Sequence, residues 1–253
     1  MIRVLCFLLL ALPAVAQESV IGKLSQNKVS ITANFDGSEI FVYGAVKRDE
    51  PASESAPPLH VVITVEGPIE AATVRRKERV LGIWVNRSVM VVDQAPRFYT
   101  IATTGPLNEI MSTQAREEYG IGLDQVVRLS GPVQGIQNPT NFTDALIRVN
   151  QANGLYTQLD GSIILDQETL FSTHIALPSN LTEGDYVTRM FLLRGRDVVN
   201  VSETTIFVRK EGMERWIYSL AHEQPLIYGI LSILTALLFG WGASELFRVL
   251  LRR

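Results

Sequence analysis

Four cations fall within five residues at Arg75-Arg76-Lys77-Glu78-Arg79, the densest gathering of positive charge in the chain. Guanidinium forks match the oxygens of carboxylates, sulfur oxyanions and lipid headgroups. Arg75, Arg76, Lys77 and Arg79 are therefore the candidate anion- or partner-binding group. The plainer alternative is a solvated hairpin connection or a charged edge strand, where such residues discourage edge-to-edge pairing. Other chemistry finds little support. His60, His174 and His222 are far apart and form no H-E-x-x-H or H-x-x-x-H pattern, so no metal site is expected. There is no G-x-S-x-G elbow, P-loop or G-x-G-x-x-G. The pairs Asp49/Glu50 and Glu117/Glu118 are adjacent in sequence, whereas general acid–base work needs convergent geometry. A non-enzymatic protein without a cofactor is the expectation.

The two ends of the chain set where that chemistry would act. Arg3, the apolar run Val4–Leu12, Pro13 and Ala14-Val15-Ala16 form the pattern of a signal peptide over 1–16. Cys6, the only cysteine, lies inside that run. From Leu226 to Ala243, eighteen residues carry no charge. With Leu246 and Phe247 they reach the length that crosses about 30 Å of hydrocarbon. Tyr228 and Trp241 lie near the ends of a span over 225–247, and Arg248, Arg252 and Arg253 give a basic tail over 248–253. Retention of Arg on the cytoplasmic side places the C-terminus inside and the bulk of the chain outside. Ser232, Ala236, Gly240 and Ser244 recur every four residues, so they line one face of the span. Small residues let helices approach closely in lipid, which makes this a candidate packing face for a second copy or for a helix of another membrane protein. The plainer alternative is that Gly, Ala and Ser are frequent in such helices.

The full chain has a net charge of −3, and residues 17–244 hold 19 Lys and Arg against 25 Asp and Glu, a net of −6. A nucleic-acid binder would need a basic footprint, so none is expected. The mature segment has no cysteine, and about 200 residues bury an adequate core without disulfides. This favours a bacterial envelope protein over a eukaryotic ectodomain; the four N-x-S/T sequons are taken as incidental.

Between the ends the pattern is mainly β. Val29, Ile31, Ala33 and Phe35 alternate, Asp36-Gly37 supplies a turn, and Ile40–Val46 is an apolar run, together predicting a hairpin. Residues 48–58 are Pro/Ser/Glu-rich and read as a loop. Strands are predicted at Leu59–Val65, Val80–Val85, Val89–Val92 and Arg97–Ala102, with Asn86-Arg87-Ser88 as a connection. One helix should start at Pro106 and stop at Gly120, and a second should run from Asn141 to Ala152 with Phe142, Ala145, Leu146 and Val149 on one face. Phe171, Thr173, Ile175 and Leu177 alternate, and Tyr186–Leu193 with Val198–Val208 should form a hairpin. Leu181-x-x-Gly184-x-Tyr186 has the spacing of the corner in immunoglobulin-like sandwiches, where a tyrosine hydroxyl bonds back to the backbone. The fold expected is two immunoglobulin-like β-sandwich units, 17–103 and 121–209, joined by a helical connection over 104–120, with a single larger sandwich as the alternative. Met213, Trp216, Ile217, Leu220 and Ala221 make an amphipathic helix over 210–224, before the span.

Several segments carry a resemblance together: Val29–Val46, Val74-Arg75-Arg76-Lys77-Glu78-Arg79 leading into Gly82-Ile83-Trp84-Val85-Asn86, Leu177-Pro178 with Gly184-x-Tyr186, and Tyr228-Gly229 with Gly240-Trp241. The chain resembles the alphaproteobacterial transmembrane protein family over essentially its whole mature length. The resemblance implies no particular activity. It implies an inner-membrane protein with a periplasmic domain, of a kind often encoded near a sulfite-exporter-like permease. The expected role is an accessory or binding protein beside such a permease. The alternatives are a membrane-tethered hydrolase whose site has no local motif, and a homo-oligomeric envelope scaffold.

Overall fold

The computed structural model describes residues 18–32, 34–48, 56–127, 138–211 and 213–250. The expected signal peptide, Asp49/Glu50, most of the 48–58 loop, and Arg252 and Arg253 lie outside the described residues. Among those described, twelve strands and five helices follow in order. They are β1 (Glu18–Leu24), β2 (Lys28–Ile31), β3 (Ser38–Arg48), β4 (Leu59–Glu66), β5 (Ile69–Val80), β6 (Ile83–Pro96) and β7 (Tyr99–Thr103). After these come α1 (Leu107–Ile110), α2 (Thr113–Tyr119), α3 (Thr140–Ala152), β8 (Tyr156–Leu159), β9 (Ile164–Asp166) and β10 (Leu170–Leu177). The chain ends with β11 (Gly184–Arg194), β12 (Asp197–Lys210), α4 (Met213–Glu223) and α5 (Pro225–Leu250).

The strands assemble into a four-stranded sheet, β1-β3-β10-β9, a six-stranded sheet, β2-β12-β11-β4-β7-β8, and a two-stranded ribbon, β5-β6. One apolar core lies between the two larger sheets. Val20, Ile40, Val42, Phe171 and Ile175 of the smaller meet Val61, Ile63, Met190, Leu192 and Val208 of the larger. A second core lies on the opposite face of the larger sheet. There Val62, Tyr99, Ile101, Phe191 and Leu193 pack under Leu107, Ile110, Ile121 and Phe142, together with Met90 and Val92 of the ribbon. The central strands of the larger sheet are therefore covered on both faces, which is why β4 and β7 read as near-continuous apolar runs. The helices have a topological reason. β7 and β8 pair in parallel, and a parallel pair needs a long crossover, here carrying α1 to α3 across the sheet.

Three sequence expectations need correction. The strands of 17–103 and 121–209 do not form separate units: β3 pairs with β10, and β4 pairs with β11. Long-range pairing of halves overrides the local hairpin signals. The hairpin expected around Asp36-Gly37 does not form either. β2 joins β12 in the larger sheet while β3 joins β1 in the smaller, so the turn carries the chain from one sheet to the other. Gly37 has φ +118°, and a Cβ there would meet the Leu177 carbonyl oxygen at 2.9 Å. The single helix from Pro106 is two helices: Met111 is extended, and the Ser112 hydroxyl caps α2 by accepting from the Ala115 amide at 3.2 Å.

Other expectations agree. Gly120 ends α2 in the left-handed conformation, α3 covers the predicted range, and β10 alternates buried and exposed as its sequence does. Phe142 is buried on α3, while Val149, expected on the same face, is half exposed. The Tyr186 hydroxyl donates to the Thr182 carbonyl at 2.8 Å, the bond its spacing predicts.

Candidate functional site

The cation-rich segment lies in the ribbon. β5 and β6 pair antiparallel through a two-residue turn, Leu81-Gly82, in which both residues have positive φ (51° and 89°), as a type I′ hairpin turn requires. The expected strand Val80–Val85 therefore contains the turn, and the expected connection at Asn86-Arg87-Ser88 is instead a bulge within a continuous strand. The base of the ribbon is held by burial of Met90, Val92 and Ala95, with Ala72 and Val74 packed against the same core. From Arg75 to Val89 no residue is buried. The distal six residues of β5 extend about 20 Å at strand rise.

Alternation divides the cations between the two faces. Arg75, Lys77 and Arg79 share one face, opposite Val89, Asn86 and Trp84 respectively. Glu78 is on the other face. There Arg76 Nη2 donates to Glu78 Oε1 at 2.8 Å, and Arg87 Nη1 lies 3.8 Å from Glu78 Oε2. The bulge supplies Arg87 as the extra residue between Ser88 and Asn86. The four predicted cations are thus not one cluster. Arg76 is paired, while Arg75, Lys77 and Arg79 form a row about 7 Å apart. Among the described residues no carboxylate lies within ion-pair distance of the three. A planar or extended anionic surface fits this row better than a compact anion, which would need the guanidinium groups to converge.

The tip has a different character. Leu81 is 100% exposed, and Ile83 and Trp84 are 65% and 68% exposed. Trp84 stands beside Arg79, while Ile83 pairs with Val80 on the opposite face. Sequence reasoning missed this feature because it read Val80–Val85 as one unbroken strand, with no turn at Leu81-Gly82.

The predicted helix-packing residues fall on α5. Ser232, Ala236, Gly240 and Ser244 are all exposed, and a Cβ added at Gly240 would meet nothing within 4 Å. Ser232 and Ala236 also help line a groove between α4 and α5, facing Trp216, Ile217 and Leu220. The amphipathic helix and the upper part of the span are thus neighbours.

One cleft has no sequence signal at all. It encloses about 160 Å³ between the ribbon base and the end of α2, lined by Glu66, Ile69, Pro96, Tyr99, Gln125 and Arg189 among others. Arg189 Nη2 donates to Glu66 Oε2 at 2.8 Å across 123 residues of sequence. The Tyr99 hydroxyl lies 3.5 Å from the Gly120 carbonyl oxygen, to which it donates, and 3.4 Å from the Gly122 amide, from which it accepts. Burial pushes the Tyr99 hydroxyl up to about 12, so it stays protonated and cannot serve as a base near neutrality. The cleft is below the usual size of small-molecule sites.

The histidines remain apart. His60 Nδ1 is 3.1 Å from Thr104 Oγ1, His174 Nδ1 is 3.4 Å from Glu39 Oε1, and His222 stacks on Tyr218. Among the described residues no group of three or more His, Cys, Asp or Glu is placed to hold a metal.

α5 contains a 24-residue stretch, Pro225–Arg248, long and apolar enough to cross a membrane, and its apolar window is 0% buried. It is therefore not the core helix of a soluble fold. No curated protein matches the chain. A family model described as "Putative transmembrane protein (Alph_Pro_TM)" matches residues 19–249. That match runs through both sheets, the ribbon and the apolar helix, and the chain belongs to this alphaproteobacterial transmembrane protein family.

Proposed function

We propose that the protein is a membrane-anchored, non-enzymatic accessory or binding protein whose β module lies outside the cytoplasm and acts at the bacterial inner membrane. The observation that carries this reading is the ribbon. It leaves the two-sheet body as an arm with one row of cations and an apolar tip, inside a module of net negative charge. An arm of this kind makes contact with something other than its own core. Arg248 at the end of α5, followed by Arg252 and Arg253, supports a C-terminus on the cytoplasmic side. The non-enzymatic reading is supported by the cleft, whose Arg189 is already neutralised by Glu66 and whose Tyr99 is held protonated.

The accessory role places α5 beside an integral membrane complex, such as a transport permease, with Ser232, Ala236, Gly240 and Ser244 as the packing face. The test is photo-crosslinking from ribbon and α5 positions in native membranes, followed by pull-down. Recovery of an integral membrane protein, diminished by Arg75→Ser, Lys77→Ser and Arg79→Ser together or by Gly240→Leu, is the expected result. Absence of any crosslinked species from both elements would remove the accessory role.

A further inference from the structure

We propose that the ribbon tip is a second membrane contact. Leu81, Ile83 and Trp84 enter the headgroup–acyl boundary of an anionic bilayer, while Arg75, Lys77 and Arg79 pair with lipid phosphates behind them. This rests on the ribbon being a binding element and names what it binds.

Four observations converge. First, Leu81 occupies a turn position with φ 51° that Asn, Asp or Gly normally takes, because a Cβ is crowded there. A leucine at that position costs backbone strain, and its side chain packs against none of the described residues, being fully exposed. Second, the tip is apolar on both faces, with Trp84 on one and Ile83 on the other. Docking on a protein would use one face; immersion in lipid uses both. Third, the order along the arm matches depth in an interface: an aliphatic tip, then Trp84 paired with Arg79, then Lys77 and Arg75 farther back. Aromatic rings prefer the headgroup level, and cations prefer the phosphates. Fourth, the charges are complementary. The exterior segment is net negative, so an anionic surface repels it except where the cation row faces that surface. The helix α5 already ties the chain to a bilayer, so the contact is intramolecular, and a weak tip suffices.

The experiment uses the full chain with Cys6→Ser and Leu81→Cys, spin-labelled at position 81 and reconstituted in vesicles. One set is phosphatidylcholine with phosphatidylglycerol, the other phosphatidylcholine alone. Collision with dissolved oxygen and with a water-soluble nickel chelate reports depth. The expected result is a lipid-buried label in the phosphatidylglycerol vesicles, while a label at Asn27→Cys on the body stays in water. Arg75→Ser, Lys77→Ser and Arg79→Ser together should lower the docked-to-undocked ratio roughly 100-fold, since each cation near an anionic surface contributes about fivefold. A label in water in both vesicles overturns the proposal, provided circular dichroism shows the fold intact. Dipolar broadening between labels, with water excluded in both lipids alike, also overturns it and assigns the tip to a second copy. A wet label with persistent crosslinks from the ribbon sinks the lipid assignment and leaves the binding role. A wet label without crosslinks from either element sinks both.

Discussion

Arg76 and Arg79 have the same charge and nearly the same place in the sequence, yet only Arg76 has a carboxylate partner. Strand alternation puts Glu78 beside Arg76 and Arg87 and away from Arg75, Lys77 and Arg79. An exposed pair of this kind contributes little to stability, so the row is the more consequential arrangement. Leu81 makes a separable prediction. Leu81→Asn places the residue type favoured at that turn position and should stabilise the folded chain by about 1 kcal/mol, read as a raised denaturation midpoint. The same change should weaken membrane docking of the tip, read from a nitroxide on Ile83→Cys. A stability gain with unchanged docking would show that the leucine is incidental. Two groups also set an acid limit. His60 is pushed down chiefly by burial, against a raising influence from Glu168. As the pH falls below the ordinary imidazole value, the unfolded chain takes up a proton that the folded one resists, so stability declines. Burial alone would raise Glu168, but the Leu59 amide and the Arg194 and Arg48 guanidinium groups outweigh it and hold it low. Its stabilisation is present above the ordinary carboxylate range and is lost at lower pH, as the folded-state value is crossed. Denaturation midpoints should fall from pH 7 to 5 and again below 5. His60→Gln should flatten the first step and Glu168→Gln the second.

Elements differ in how far the sequence reveals them. β10 was legible because Phe171, Thr173, Ile175 and Leu177 alternate, and one face is buried. The β11–β12 hairpin was legible because Gly195-Arg196-Asp197 separates an apolar run, Met190–Leu193, from a long run rich in β-branched residues. The corner at Tyr186 was legible from spacing alone, and its single bond is testable. Tyr186→Phe keeps the ring against Phe98 and removes the donor to Thr182, which should cost about 1 kcal/mol in equilibrium unfolding. β5 was legible only as a hairpin connection or a charged edge strand, because its charges mask the pattern and a two-stranded ribbon buries too little to impose alternation on its distal half. The tip was hidden for a different reason: Ile83, Trp84 and Val85 read as one strand continuous with Val80, whereas Leu81-Gly82 is a turn that leaves them at the end of the ribbon. The Glu66–Arg189 cleft left no trace, because its members come from distant segments. For α5, length and apolarity were plain. Ala236→Leu with Gly240→Leu should abolish helix association in a membrane two-hybrid assay, while Leu237→Ala, off the small-residue face, should not; association that survives both would remove the face from consideration.

At the scale of the molecule the decisive fact is that the halves are interleaved. β3 lies between β1 from its own half and β10 from the other, and β4 lies between β11 and β7. The ends of the two sheets are also tied by charge. Arg48 of β3 and Arg194 of β11 both reach Glu18 of β1 and Glu168 before β10, with the Arg48 Nη2 to Glu168 Oε2 distance at 3.1 Å. Breaking such a network by removing one partner leaves a half-buried charge uncompensated. Cutting the chain is therefore more severe than its sequence pattern implies. A fragment of residues 17–103 lacks β10 and β11, so β3 and β4 each lose a hydrogen-bonded neighbour and the core between the sheets loses about half its lining, and 121–209 lacks the strands that flank β10 and β11 on their other sides. Each alone should be unfolded by circular dichroism. Co-expression of 17–120 with 121–209, which keeps α1 and α2 over the second core, should restore a protease-resistant complex, because the missing pairings are intermolecular but otherwise unchanged. Independent folding of either fragment would mean that the local hairpin signals suffice, and that the cross-half pairings of β3 with β10 and β4 with β11 do not hold the module together.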